Sequence, residues 1–142
     1  MMRDTGPPRI AIIGLGYVGL PLALEFSKKY PTIGFDINKK RIDELDSGHD
    51  STGELTKESL NVLKQNIEFS FDCNDLKKSN TYIITVPTPI DKSNNPDLSY
   101  LKSASKLVGK LISKNDLVIY ESTVFPGATE EICVPILEHE SG

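Results

Sequence analysis

Between Arg9 and Asp36 the chain reads RIAIIGLGYVGLPLALEFSKKYPTIGFD, and no other stretch limits its fold so tightly. An apolar run, Arg9–Ile13, opens into Gly14-Leu15-Gly16-Tyr17-Val18-Gly19. A helical pattern follows, and a second short apolar run closes on Asp36, 17 residues past Gly19. The three glycines have separate uses. Gly14 permits a tight turn, Gly16 carries no Cβ to hold the backbone away from a bound group, and Gly19 lets the helix lie close to the strand. The helix N-terminus then aims its free N–H groups out of the turn, where they suit a phosphate. A G-x-G-x-x-G alone is a weak sign, common to glycine-rich turns. The strand before it, the helix after it and the acid beyond make it specific, and together they predict a dinucleotide pyrophosphate site.

The helix supports this reading. Val18, Leu22 and Phe26 fall at i, i+4 and i+8, beside a stripe of small residues at Gly19 and Ala23, and predict its buried face. Pro21 is tolerable in the first turn, where its missing N–H would have had no helical partner. Tyr17 and Val18 are expected to offer backbone N–H groups, so their position matters more than their side chains. Asp36 also bears on the choice of cofactor. A carboxylate there accepts from both ribose hydroxyls and repels a 2′-phosphate, which favours NAD over NADP. The following Asn38-Lys39-Lys40-Arg41 could receive that phosphate, or it is the solvated first turn of the next helix. The acid at the ribose position decides for NAD.

A length of 142 residues fits one domain, assigned to residues 1–142, and 38% hydrophobic with 25% charged residues is ordinary for a soluble globular chain. A formal charge of −4 without a basic stripe argues against nucleic-acid and anionic-membrane partners. No apolar stretch approaches the roughly 20 residues of a membrane span. MMRDTGPPRIAIIG is not a signal peptide, since its only apolar run already serves as the first strand, and a cytoplasmic location is expected. Cys73 and Cys133 stand far apart, outside any CxxC or Cys/His cluster, and are read as small buried or semi-buried apolar residues rather than ligands or disulfide partners. His49 and His139 have no carboxylate partner in view and are read as surface residues.

Apolar runs alternate with helical patterns to the end, the mark of parallel βαβ units. Strands are predicted at 9–13, 32–36, 67–71, 81–86 and 117–121. Helices are predicted at 18–29, 39–47, 57–64, 98–112 and 128–138, with a short turn near 75–78. Pro135 should kink or divide the last helix. The fold class is therefore α/β, a doubly wound, Rossmann-like parallel sheet in the order 3-2-1-4-5. The usual sixth strand is missing after the last helix, so the sequence reads as a piece cut from a longer protein.

Ligands of such sheets sit beyond the C-terminal ends of the strands. Strand four ends there in Thr85-Val86-Pro87-Thr88-Pro89-Ile90-Asp91, and strand five in Tyr120-Glu121-Ser122-Thr123-Val124-Phe125-Pro126-Gly127. Both are proline-bearing loops rich in hydroxyls, which either present Thr88 and Thr123 to a cofactor or simply stiffen the loops and cap helices.

At these residues a resemblance becomes visible. GLGYVGLPLA (14–23), GFDINKKRIDEL (34–45), VPTPID (86–91) and ESTVFPGATEE (121–131), in that order, resemble the UDP-sugar 6-dehydrogenase family, from about residue 9 to the end. The branch acting on UDP-N-acetylhexosamines is the nearest, since UDP-glucose dehydrogenases typically have a shorter, differently composed loop in place of VPTPID. The resemblance implies NAD contacts from Tyr17 and Val18 at the pyrophosphate, from Asp36 at the ribose and from Arg41 on the adenosine side. It places Thr88 and Thr123 on the nicotinamide half, with Thr123 also near a water at the reacting carbon. The family oxidises the C6 alcohol of a UDP-hexose to a carboxylate with two NAD, through a cysteine thiohemiacetal. That cysteine, in a Cys-Phe-Gly-Gly context, belongs with its lysine and asparagine neighbours, a central dimer helix and the UDP-binding domain to a part matching no residue here. Neither Cys73 nor Cys133 has that context, so no nucleophile or base is assigned. These residues are expected to bind NAD and to be inactive and monomeric alone, within a whole protein expected to be a homodimer or larger. A UDP-glucose enzyme, or a stand-alone NAD(H)-binding module without catalysis, is the alternative.

Overall fold

The computed structural model describes residues 6–124 and 126–142. Five strands form one sheet, β1 (Ile10–Ile13), β2 (Thr32–Phe35), β3 (Ile67–Ser70), β4 (Thr81–Ile84) and β5 (Leu117–Tyr120). All pairings are parallel, and the order is β3-β2-β1-β4-β5, as the sequence predicts. Each strand is four residues long, shorter than its predicted run. Asp36 directly follows β2, and Thr85 and Val86 directly follow β4, at the C-terminal edge of the sheet.

The connecting helices are α1 (Gly19–Ser27), α2 (Lys39–Asp46), α3 (Lys57–Asn66), α4 (Ser99–Gly109) and α5 (Val134–Ser141), with a 3-10 turn at Cys73–Lys78. Alternate residues of β1 feed two cores. Ile10 and Ile12 pack with Leu20 and Ala23 of α1, Ile42 and Leu45 of α2, and Leu60 and Leu63 of α3. Ala11 and Ile13 face the other way, onto Leu101, Ala104 and Val108 of α4 and Leu137 of α5. β3 and β5 are the two edge strands, and Leu117 of β5 is exposed.

Two expectations are corrected and a third is met. The face of α1 that is sealed runs through Gly19, Leu20 and Ala23; Val18 is 49% exposed, and Leu22 and Phe26 are only partly buried. The helix is drawn in on its small-residue side, so the larger side chains lie along the margin of the core. Cys73 is exposed, at the start of the 3-10 turn, while Cys133 is buried as expected. The last helix is divided, as Pro135 predicts: Thr129–Cys133 is a π-turn, and the α-helical part starts at Val134, with Pro135 in its first turn. Pro135 has no N–H to give to a preceding carbonyl, and the wider turn absorbs that loss.

Candidate cofactor site

The glycine turn is held from all sides. Gly14 has φ +102°, a conformation that disfavours a side chain, and its N–H donates to the Phe35 carbonyl at 2.8 Å. A Cβ on Gly19 would stand 1.7 Å from the Gly14 carbonyl oxygen, so α1 can start against the turn only with glycine there. Thr85 crosses from β4, its hydroxyl 2.6 Å from the Gly14 oxygen and 3.1 Å from that of Ile13. At Gly16 the opposite holds: a Cβ would meet nothing within 4 Å. α1 begins at Val18 without a side-chain cap, and the N–H groups of Gly16, Tyr17 and Val18 find no acceptor among the described residues. Tyr17 and Val18 turn their side chains outward. The turn thus presents open space and unpaired donors at a helix N-terminus, and the residues present fit a dinucleotide pyrophosphate.

Asp36 and Arg41 grip the same residue from two sides. Asp36 accepts from the Leu15 N–H at 3.0 Å and, through its other oxygen, from the Asn38 N–H at 2.9 Å. Arg41 donates through Nε to the Leu15 carbonyl at 2.8 Å. Arg41 is buried, and its two remaining nitrogens pair with Glu44 at 2.7 Å and Asp50 at 2.9 Å. Asp50 is deeper still, with 1% of its side chain exposed. Burial pushes the Asp50 carboxyl up, but donors from Thr52, Leu55 and Arg41 outweigh it and bring it down from 3.8 to about 2. Glu44 is lowered as well, first by the Ser51 N–H that donates to it, while burial opposes. Of the basic run 39–41, Lys39 is tied to Asp43 at 2.7 Å and lies over the Phe71 ring, as an exposed first helical turn would have it.

A cleft of about 680 Å³ opens at this edge, with Gly14, Gly16, Asp36 and Arg41 on one side and Tyr100 and Ser103 of α4 on the other. Past it, the loops after β4 and β5 are stitched together. The Thr88 hydroxyl donates to the Thr123 carbonyl at 2.5 Å, and the Ser122 hydroxyl to the Val86 carbonyl at 2.8 Å. Thr88 and Thr123 therefore meet each other, while Thr85, Val86 and Pro87 carry the β4 end into the cleft lining. Phe125 falls outside the described residues.

Sequence reasoning missed Thr85, Ser122 and Asp50. Thr85 had a signal, a hydroxyl ending the run Tyr82-Ile83-Ile84. Asp50 had half of one: Asp-Ser-Thr is a side-chain-to-backbone turn, and Asp50 does accept from Thr52 N–H at 3.0 Å. Its pairing with Arg41 has no local signature. Among the described residues no group of acidic, histidine or cysteine side chains could hold a metal, and no helix is long and apolar enough to cross a membrane.

Comparison with known proteins matches this geometry. Residues 8–142 fit the model of the UDP-glucose/GDP-mannose dehydrogenase family, NAD binding domain. The chain is 55% identical to a UDP-N-acetyl-D-glucosamine 6-dehydrogenase of Pseudomonas aeruginosa, covering 99% of this chain and 32% of that protein. It is 56% identical to protein CapL of Staphylococcus aureus, over 94% of this chain and 31% of that one. A solved UDP-ManNAc dehydrogenase from Pyrococcus horikoshii superposes with a TM-score of 0.86 at 38% identity, over 94% of this chain and 32% of its own. The chain thus spans about a third of the length of these relatives. With the nucleotide turn, the acid that ends β2 and the sheet order all in agreement, the chain belongs to the UDP-glucose/GDP-mannose dehydrogenase family, as its NAD-binding domain.

Proposed function

We propose that these residues are the cofactor half of a cytoplasmic UDP-N-acetylhexosamine 6-dehydrogenase, which oxidises the C6 alcohol to the uronate with two NAD for surface-polysaccharide precursors. The sugar assignment rests on identity: 55% to a relative named for UDP-N-acetyl-D-glucosamine, against 38% to one named for UDP-ManNAc. The observation that carries the cofactor reading is the glycine turn, whose unpaired N–H groups and open face at Gly16 lie beside Asp36.

The donors and acceptors of the glycine turn support the following residue roles. N–H groups of Gly16, Tyr17 and Val18 hold the pyrophosphate, and Gly14 and Gly19 keep the turn tight enough to aim them. Asp36 gives one acceptor direction each to Leu15 and Asn38, and an ionised carboxylate has about four such directions, which leaves capacity for ribose hydroxyls. Arg41 supports the adenosine side from beneath Leu15. The family resemblance assigns Thr88 and Thr123 to the nicotinamide half, with Thr123 also near a water at the reacting carbon. NAD supplies the hydride acceptor when bound. The sugar site, the nucleophile and the dimer contact belong to the rest of the enzyme.

Calorimetric titration of this chain with NAD, NADP and UDP-N-acetylglucosamine tests the reading. NAD binding stronger than NADP, with no measurable heat from the UDP-sugar, is the expected result. A chain that is folded by circular dichroism yet takes no NAD would overturn it.

A further inference from the structure

We propose that Asp50 is a specificity-determining positioning residue: by holding Arg41 inward, it keeps the buried guanidinium of the cleft away from a cofactor 2′-phosphate. Dinucleotide sites that accept NADP commonly set an arginine near the ribose to pair with that phosphate. This chain has such an arginine. Arg41 is one residue's width from the ribose acid, since it and Asp36 grip opposite sides of the Leu15 unit, and both line the cleft. Its charge is nonetheless spent on the protein. Nε goes to the Leu15 carbonyl, and the other two nitrogens to Glu44 and Asp50.

Asp50 is what fixes that arrangement. Its side chain is 1% exposed, against 21% for Glu44, and it sits in a nest of donors. One of its oxygens accepts from the Thr52 N–H at 3.0 Å and the Thr52 hydroxyl at 2.6 Å as well as from Arg41; the other accepts from the Leu55 N–H at 3.0 Å. The loop that carries it also supplies Ser51 and Thr52 to the cleft lining, so the acid is anchored beside the ribose end rather than far from it. A buried carboxylate so held does not release its cation cheaply, because an unpaired charge would remain in low dielectric. Discrimination thus has two layers. Asp36 repels a 2′-phosphate, and Asp50 withholds the group that would neutralise it.

The inference rests on NAD occupying this cleft, so the experiment measures that first. NAD and NADP are titrated into the natural chain, into D50N and into D50N combined with R41Q. In D50N the uncharged amide has a single acceptor oxygen to share among Thr52, Leu55 and Arg41. NAD binding is expected to weaken slightly and the NAD-over-NADP preference to fall by about tenfold, the scale of one charge-assisted hydrogen bond gained by phosphate. The double variant should regain the natural preference, which a merely structural role of Asp50 would not produce. An unchanged preference in folded D50N, or a shifted preference that survives R41Q, overturns the proposal. If D50N does not fold, T52V, which removes the hydroxyl that holds the Asp50 carboxylate, must move the preference in the same direction, and no movement overturns the proposal. Failure of the natural chain to bind NAD defeats the cofactor reading itself, and the proposal with it.

Discussion

The two ends of the cofactor cleft are built by different means. At the β1–β2 end the ties are charged and partly or wholly buried: Asp36 and Arg41 on Leu15, Asp50 and Glu44 on Arg41. At the β4–β5 end they are neutral: one hydroxyl from Thr88 and one from Ser122, each to a carbonyl across the gap. Ionic hydrogen bonds inside a protein fix geometry strongly and fail badly when one partner is lost. Hydroxyl-to-carbonyl bonds at an exposed loop are weaker and let the loop shift. The β1–β2 end is thus fixed by its ionic ties, and the β4–β5 end, proposed above as the reacting end, is left adjustable.

Two glycines test the fixed end most severely, in opposite ways. Gly19→Ala forces a Cβ to within 1.7 Å of the Gly14 oxygen, so α1 must draw back from the turn. Overpacking of this kind costs about 1–3 kcal/mol, and NAD binding should be lost with it; urea unfolding and calorimetry on the same sample measure both. A Cβ at Gly16 meets no protein atom within 4 Å, so in Gly16→Val stability should stay within about 0.5 kcal/mol while NAD binding disappears. If Gly16→Val binds NAD unimpaired, the open face of the turn is not the pyrophosphate seat.

Asp36→Ala comes next. It removes the acceptor for Leu15 and Asn38 together with the ribose acceptor, and NAD affinity should fall by about 1–3 kcal/mol. NADP should lose less, since its phosphate no longer faces a carboxylate. Equal losses for the two cofactors would show that Asp36 acts only through the shape of the turn.

Acid should separate the two ends without any substitution. Asp50 titrates at about 2 in the fold against 3.8 as an ordinary carboxyl. A depressed folded value means the native state binds that proton later than the unfolded chain does. The stabilisation is therefore complete above about pH 4 and is lost as pH falls toward 2. Hydrogen exchange followed between these limits should show the Thr52 and Leu55 amides losing protection before the strands of the sheet do. In D50N that early loss should be absent.

How far the sequence revealed all this depended on the range of each interaction. The sheet order and the turn were legible because they rest on short-range patterns, apolar runs, glycine spacing and an acid at the end of β2. Strand ends were read too long, since an apolar residue such as Val86 continues the pattern after the ladder has stopped. The sequence places Val18 in the core because helical periodicity cannot tell a residue in the helix from its N-cap. The Arg41–Asp50 pair was invisible, as was the Thr85 bond to Gly14, whose partners are 71 residues apart. Cys73 is exposed because it opens a short turn whose buried residue is Leu76.

The smallest effect should come from the adjustable end, and its size decides whether the comparison holds. Thr88→Val keeps the β-branched shape and removes only the hydroxyl that donates to the Thr123 carbonyl. With the Ser122 bond to Val86 still in place, unfolding free energy should drop by about 0.5–1 kcal/mol. Binding of ADP-ribose, which lacks the nicotinamide, should not change, whereas NAD should weaken by less than about tenfold. Asp36→Ala should show the reverse pattern, weakening ADP-ribose and NAD alike. Should Thr88→Val instead weaken ADP-ribose as much as NAD, the two loops and the glycine turn would have to be one rigid unit, and the contrast between a fixed nucleotide end and a yielding reacting end would be lost.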